Sequence, residues 1–232
     1  MQLKQIQAWM AAYKDFLRSP AADQRLYIWE SQRIFQAHWD VAAPDFSDMY
    51  DRSLDNSHTR RLWKRERYEP KRFMLEAIAL APEMVRQAFL DLLDDTKDLE
   101  ARVGRFVFYS DELLRIYRET FPKTIETTHY HHNNYEMISL YLAFRYPDRY
   151  SFYEHAHFRV LLQRLGSTDL STSADFGRFC KVMRTLYGFL LKDSDLLAWH
   201  SRRLLPEKHY TGESLLLVYD FYRFCSDPDV IL

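Results

Sequence analysis

Apolar residues recur at intervals of three and four along nearly the whole chain, and this period constrains the fold more than any other feature. Ile6, Trp9, Met10, Tyr13, Phe16 and Leu17 share one face of a helix over about residues 2–17, which Ser19-Pro20 ends. A second helix starts near Asp23 and carries Leu26, Trp29, Ile34 and Phe35. Residues 38–59, with Pro44, Asp45, Ser47 and Asn56, read as loop with a short helix. Pro70 and Pro82 each suit the first turn of a helix, the second carrying Met84, Val85, Phe89 and Leu92. Residues 98–117 continue with Leu99, Val103, Phe106, Leu113 and Leu114. The FVFY of residues 106–109 has strand composition, but the surrounding period favours helix. Asn133 or Asn134 is expected to cap a helix over 135–145, and Pro147 to open another that runs to Leu165. Helices over 175–191, 193–204 and 213–224 follow. The predicted class is all-α, a single packed array of about nine or ten helices with no significant sheet. Only 5 glycines occur in the chain, too few for many hairpins or nucleotide-binding loops.

A length of 232 residues accommodates one helical domain over 1–232, with the polar segment 167–174 as the best internal sub-boundary. The net charge of −1 gives no global pull toward nucleic acid, so any such contact must use a local patch. Cys180 and Cys225 sit in apolar helical text and read as buried reduced thiols of a cytoplasmic protein. No run approaches the roughly 18 apolar residues of a membrane span, so no membrane partner is expected.

Two passages carry side chains with chemistry. In residues 60–72 the cations Arg60, Arg61, Lys64, Arg65, Arg67, Lys71 and Arg72 interleave with Trp63 and Tyr68. Cations alternating with aromatics suit a surface that contacts phosphates and stacks bases, so DNA or RNA is a candidate partner there. The bland alternative is a solvated helix face paired locally with Glu66 and Glu69. In residues 127–153, His129, His131 and His132 precede a dense aromatic run. His155 and His157 follow, but no Cys pair accompanies them and the spacings do not match a zinc site. Met137, Tyr141 and Phe144 form a stripe suited to a core, and Tyr146, Tyr150 and Tyr153 continue it around Pro147. The alternative is an interaction surface of His129, His131, His132, Arg145, Arg149 and Tyr150. Pro82-Glu83 and Asp95-Thr96-Lys97 mimic the acidic-acidic-lysine pattern of restriction nucleases, though here in helical text. Neither a nucleophile elbow nor a P-loop occurs, so no catalytic residue, metal or cofactor is assigned.

The text HHNNYEMISLYLAFRYPDRYSFYEHAHF resembles a passage in the N-terminal helical regions of bacterial McrB-type AAA+ proteins. Thr127, Thr128 and His129, the pair Asn133-Asn134, Tyr141-Leu142, Arg145-Tyr146-Pro147 and Tyr150 carry it. Trp199-His200, His209-Tyr210 and LLLVYDFY resemble the later part of the same region, so the likeness spans most of the chain after about residue 80. The amide pair departs from the acids of that family, and no AAA+ motor is present. The resemblance implies a non-enzymatic recognition module from the N-terminal part of a longer prokaryotic restriction or anti-phage protein. Its implied partners are nucleic acid, a motor or nuclease subunit, or a phage protein. The alternatives are a protein–protein adaptor or oligomerisation domain without nucleic-acid binding, and a His-dependent metal hydrolase.

Overall fold

A computed structural model describes residues 1–55, 62, 69–132, 134–170 and 172–231. Every regular element among them is helical: α1 (Leu3–Leu17), α2 (Pro20–Asp23), α3 (Tyr27–His38), α4 (Phe46–Ser53), α5 (Pro70–Leu80), α6 (Pro82–Leu93), α7 (Leu99–Thr120), α8 (Glu136–Arg145), α9 (His155–Arg164), α10 (Phe176–Leu190), α11 (Ser194–Arg203) and α12 (Leu216–Ser226). The all-α expectation holds, and FVFY lies inside α7. Asp45, Asp98, Asp175 and Asp193 each accept a bond from a backbone N–H three residues on, fixing the starts of α4, α7, α10 and α11. Pro70 and Pro82 occupy first turns, where no amide donor is needed.

The array is built around α8. All eight residues from Met137 to Phe144 are buried, so this helix has no solvent face. Rings of Phe89 on α6 and Phe106 on α7 meet Tyr141 edge-on at 5.0 and 6.0 Å. From α3, Phe35 stacks on Phe144 at 5.0 Å, while Gln32 and Gln36 both donate to the Phe144 carbonyl. That carbonyl lies in the last turn, where helical partners run out. A second largely buried helix, α12, packs on α1, α9 and α10. The elements on either side of segment 167–174 pack together, α9 and α10 both against α12.

Two sequence expectations about this centre need correction. The helix expected to start at Pro147 does not start there. Residues 147–154 are a turn and extended chain, and α9 begins at His155. The Leu215 N–H bonds the Pro147 carbonyl and the Tyr153 N–H bonds Ser139 Oγ, so tertiary partners hold this backbone extended. Nor does an asparagine occupy the cap of α8: that residue is Tyr135, at φ 65°. Asn134 instead accepts from the Glu136 N–H, and Tyr135 is held by stacking on Phe176 at 5.2 Å. Tyr130 also has φ 65°, a backbone region that aromatics seldom adopt.

The first and last helices close on a buried carboxylate. Asp220 of α12 is fully buried and accepts from Tyr13 Oη at 2.8 Å and from Arg25 at 3.2 Å. Arg203 of α11 approaches it at 3.8 Å. Burying this anion is tolerable only because cations and a hydroxyl surround it. Asp220→Ala should therefore lower unfolding stability by about 3–5 kcal/mol, because Arg203 loses a buried counter-charge. Tyr13→Phe should cost about 1–2 kcal/mol. Urea titration of both variants tests the ranking; equal losses would contradict it.

Candidate functional site

The histidine stretch is structural wiring. The His131 N–H donates to His129 Nδ1 at 3.0 Å, so that nitrogen is an acceptor and the proton of His129 sits on Nε2, which reaches Asp111 at 3.1 Å. His131 Nδ1 bonds the His129 carbonyl, so it carries the proton, and Nε2 accepts from Tyr141 Oη at 2.9 Å. Tyr50 Oη completes the chain at 2.6 Å from Tyr141 Oη. All four ring nitrogens of His129 and His131 thus have partners within the protein. Both residues are buried, so neither belongs to an exposed interaction surface. His132 is exposed and pairs with Thr128 Oγ1 at 2.8 Å. His155 bonds Tyr153, whereas His157 faces Glu154 and Arg223. Among the described residues, no group of three or more His, Cys, Asp or Glu side chains is arranged to hold a metal ion.

The remaining surface candidates are dispersed. Arg145 and Arg149 are exposed and lie over the ring of Tyr146 at 4.8 and 5.4 Å, but Arg149 also pairs with Asp95. Tyr150 is half-buried and accepts from Arg102 at 2.9 Å. In the basic run, Arg60, Arg61, Trp63, Lys64, Arg65, Arg67 and Tyr68 lie outside the described residues. Lys71 is tied to Asp51 at 2.8 Å, and Arg72 to Glu76 and Glu126 at 3.0 and 2.8 Å. The nuclease-like pattern does not converge. Glu83 opens α6 and Asp95 follows its end, with 12 helical residues between Ala81 and Asp94, a span of about 18 Å. Lys97 pairs with Asp91 and Asp94 instead. Cys180 and Cys225 are buried free thiols; burial raises both, Cys180 to about 12, which suppresses thiolate reactivity.

Sequence reading missed a cleft of about 740 Å³ between the end of α1, α2 and α11. Its lining includes Arg18, Arg202, Arg203 and Lys208, with Trp199 and Tyr27, against the two acids Asp23 and Glu30. Arg202, Arg203 and Lys208 lie close together in the chain, and Arg18 joins them only through folding. The back wall is held by Arg203, only 6% exposed, which bonds the Ala22 carbonyl and Asp23 and faces Asp220. Below it, His200 packs on Trp29 at 5.0 Å, and its Nδ1 has no hydrogen-bond partner.

Among the described residues, no helix is long and apolar enough to cross a membrane. No protein-family model matches the chain, and no curated protein or solved structure matches it.

The buried histidines contribute to the acid response. Burial lowers His131 to about 3, helped by the nearby His129, and lowers His200 to about 3, helped by Arg203. Burial also lowers His129 and His209. Unfolded histidines titrate near 6.5, so between that pH and about 3 the unfolded chain binds more protons. Stability should be full above about pH 6.5 and fall with acidification below it, by about 1.4 kcal/mol per pH unit for each histidine still neutral in the fold. Urea midpoints measured from pH 7 downward test this. His131→Gln and His200→Gln should each flatten the slope; slopes equal to wild type in both would contradict the assignment.

Proposed function

We propose that this chain is a non-enzymatic helical recognition module of a prokaryotic defence system and that it engages nucleic acid. The observation that carries the reading is the α1–α2–α11 cleft, where three exposed basic side chains, Arg18, Arg202 and Lys208, gather around half-buried aromatics, while the acid Asp23 is taken up by Arg203. Cations interleaved with aromatics form the surface type that follows a phosphate backbone. The histidines that suggested hydrolysis are occupied by internal bonds, which favours recognition over chemistry at that stretch. The resemblance to the McrB-type N-terminal regions supports an accessory role beside a motor or nuclease. Its signature residues Tyr141 and Leu142 are core positions, so the likeness speaks to architecture.

A protein–protein adaptor is the second reading. It is favoured by Phe108 and Ile125, which are 59% and 96% exposed on α7 and in the chain after it. The two readings separate in a fluorescence-anisotropy titration of the whole chain with labelled single-stranded DNA, duplex DNA and RNA. The expected result is binding at low salt that weakens roughly twentyfold for a fourfold rise in salt, as three neutralised phosphates on a single strand require. An absence of affinity for all three at low salt would sink the nucleic-acid reading. Self-association in light scattering, with no such affinity, would favour the adaptor.

A further inference from the structure

We propose that the α1–α2–α11 cleft is a phosphate-binding site that seats the backbone of an unpaired nucleic-acid strand on Arg202, Arg18 and Lys208; this rests on the nucleic-acid reading above. The guanidinium carbons of Arg202 and Arg18 lie 4.9 and 5.5 Å from the centre of the Trp199 ring. Contact with an aromatic face restrains a guanidinium while leaving its edge donors available for a forked bond to phosphate oxygens. Arg202 is exposed, and among the described residues it has no carboxylate partner. Its guanidinium therefore faces solvent beside the ring, with no carboxylate to be displaced by an incoming anion. The other two cations are only loosely engaged. Arg18 pairs with Asp15 at 2.9 Å with both side chains largely exposed, and Lys208 is 4.0 Å from Glu30. Exposed pairs of this kind exchange readily for a stronger anion.

The wall behind these groups is fixed before any ligand arrives. Arg203 bonds α11 to α2 through the Ala22 carbonyl and Asp23, and Asp220 anchors it from below. Arg203 is a positioning residue: its carboxylates neutralise it, and its burial keeps it from the ligand. The volume, about 740 Å³, is that of a small-molecule pocket and admits a nucleotide unit. A duplex, whose major groove alone is about 12 Å wide, is too large to be seated within that volume. The site thus selects an unpaired strand or a strand end.

The test compares the whole wild-type chain with R202E, R202Q and, as a charge control, R105E at an exposed position on α7. Each protein is titrated with a labelled single strand, with the matching duplex, and with inorganic tripolyphosphate by calorimetry. The proposal expects single-strand affinity to drop about tenfold or more in R202E, and severalfold in R202Q. R105E should change it by less than about twofold, and tripolyphosphate should compete with the strand. Thermal unfolding of R202E should match wild type, since this arginine is exposed. Strand binding that falls equally in R202E and R105E would overturn the site while leaving nucleic-acid recognition intact. Tripolyphosphate binding lost in R202E, with no strand bound by wild type, would leave the site standing and overturn the nucleic-acid reading. If neither ligand binds wild type, both fall. Duplex bound as tightly as the strand would overturn the claim of an unpaired strand.

Discussion

A helix with apolar or small residues on every side can be satisfied only by being surrounded. That is the condition α8 imposes on the molecule. Burying a large apolar side chain stabilises by about 1.5–3 kcal/mol, and α8 offers Met137, Ile138, Leu140, Tyr141, Leu142 and Phe144 on all its faces. No two-helix contact could cover them. The surrounding helices α3, α6 and α7 are placed by their rings against this post, and the extended strand of chain through Tyr153 crosses it at Ser139. The polar groups that come inside with it are met individually. Ser139 bonds Glu136 and Tyr153, two glutamines meet the Phe144 carbonyl, and Tyr141 lies in a line from Tyr50 to His131.

The second organising device is electrostatic. Asp220 draws together Tyr13, Arg25 and Arg203, which are far apart in sequence. The carboxylate fixes α1 and α11 against α12 and leaves the rim cations around Trp199 at the edge of the same arrangement. Packing in the interior and charge at the surface are thus linked through one buried anion. Gly166 plays a smaller part at the end of α9. It takes φ +67°, and an added Cβ would stand 2.8 Å from the Gln2 side chain, just where the Gln2 N–H bonds the Leu165 carbonyl.

Much of the fold was legible because helix periodicity is a local signal. The helices starting at Pro70, Pro82 and near Asp98 lie close to where the apolar spacing and capping residues put them. The error at Pro147 has a physical cause. Proline suits a helix start, but it equally suits a turn, and partners from α8 and from the segment before α12 determine which one forms. The candidate sites were less legible. The histidines read as a cluster in sequence because they are neighbours, yet their ring nitrogens are taken up by Asp111, the local backbone and Tyr141. Trp199, Arg202, Arg203 and Lys208 are near neighbours in the chain, but nothing local shows that Arg18 and α2 close on them to form a cleft.

The sequence by itself determined the helical class, most helix boundaries, and the apolar faces that must be buried, since each depends on residues three or four apart. Tertiary structure alone decided that α8 is the centre, that His129 and His131 are internal with every ring nitrogen bonded, and that Arg18 joins Arg202 over Trp199 at one cleft. Those outcomes depend on distances between side chains remote in sequence, and such distances exist only once the chain is packed.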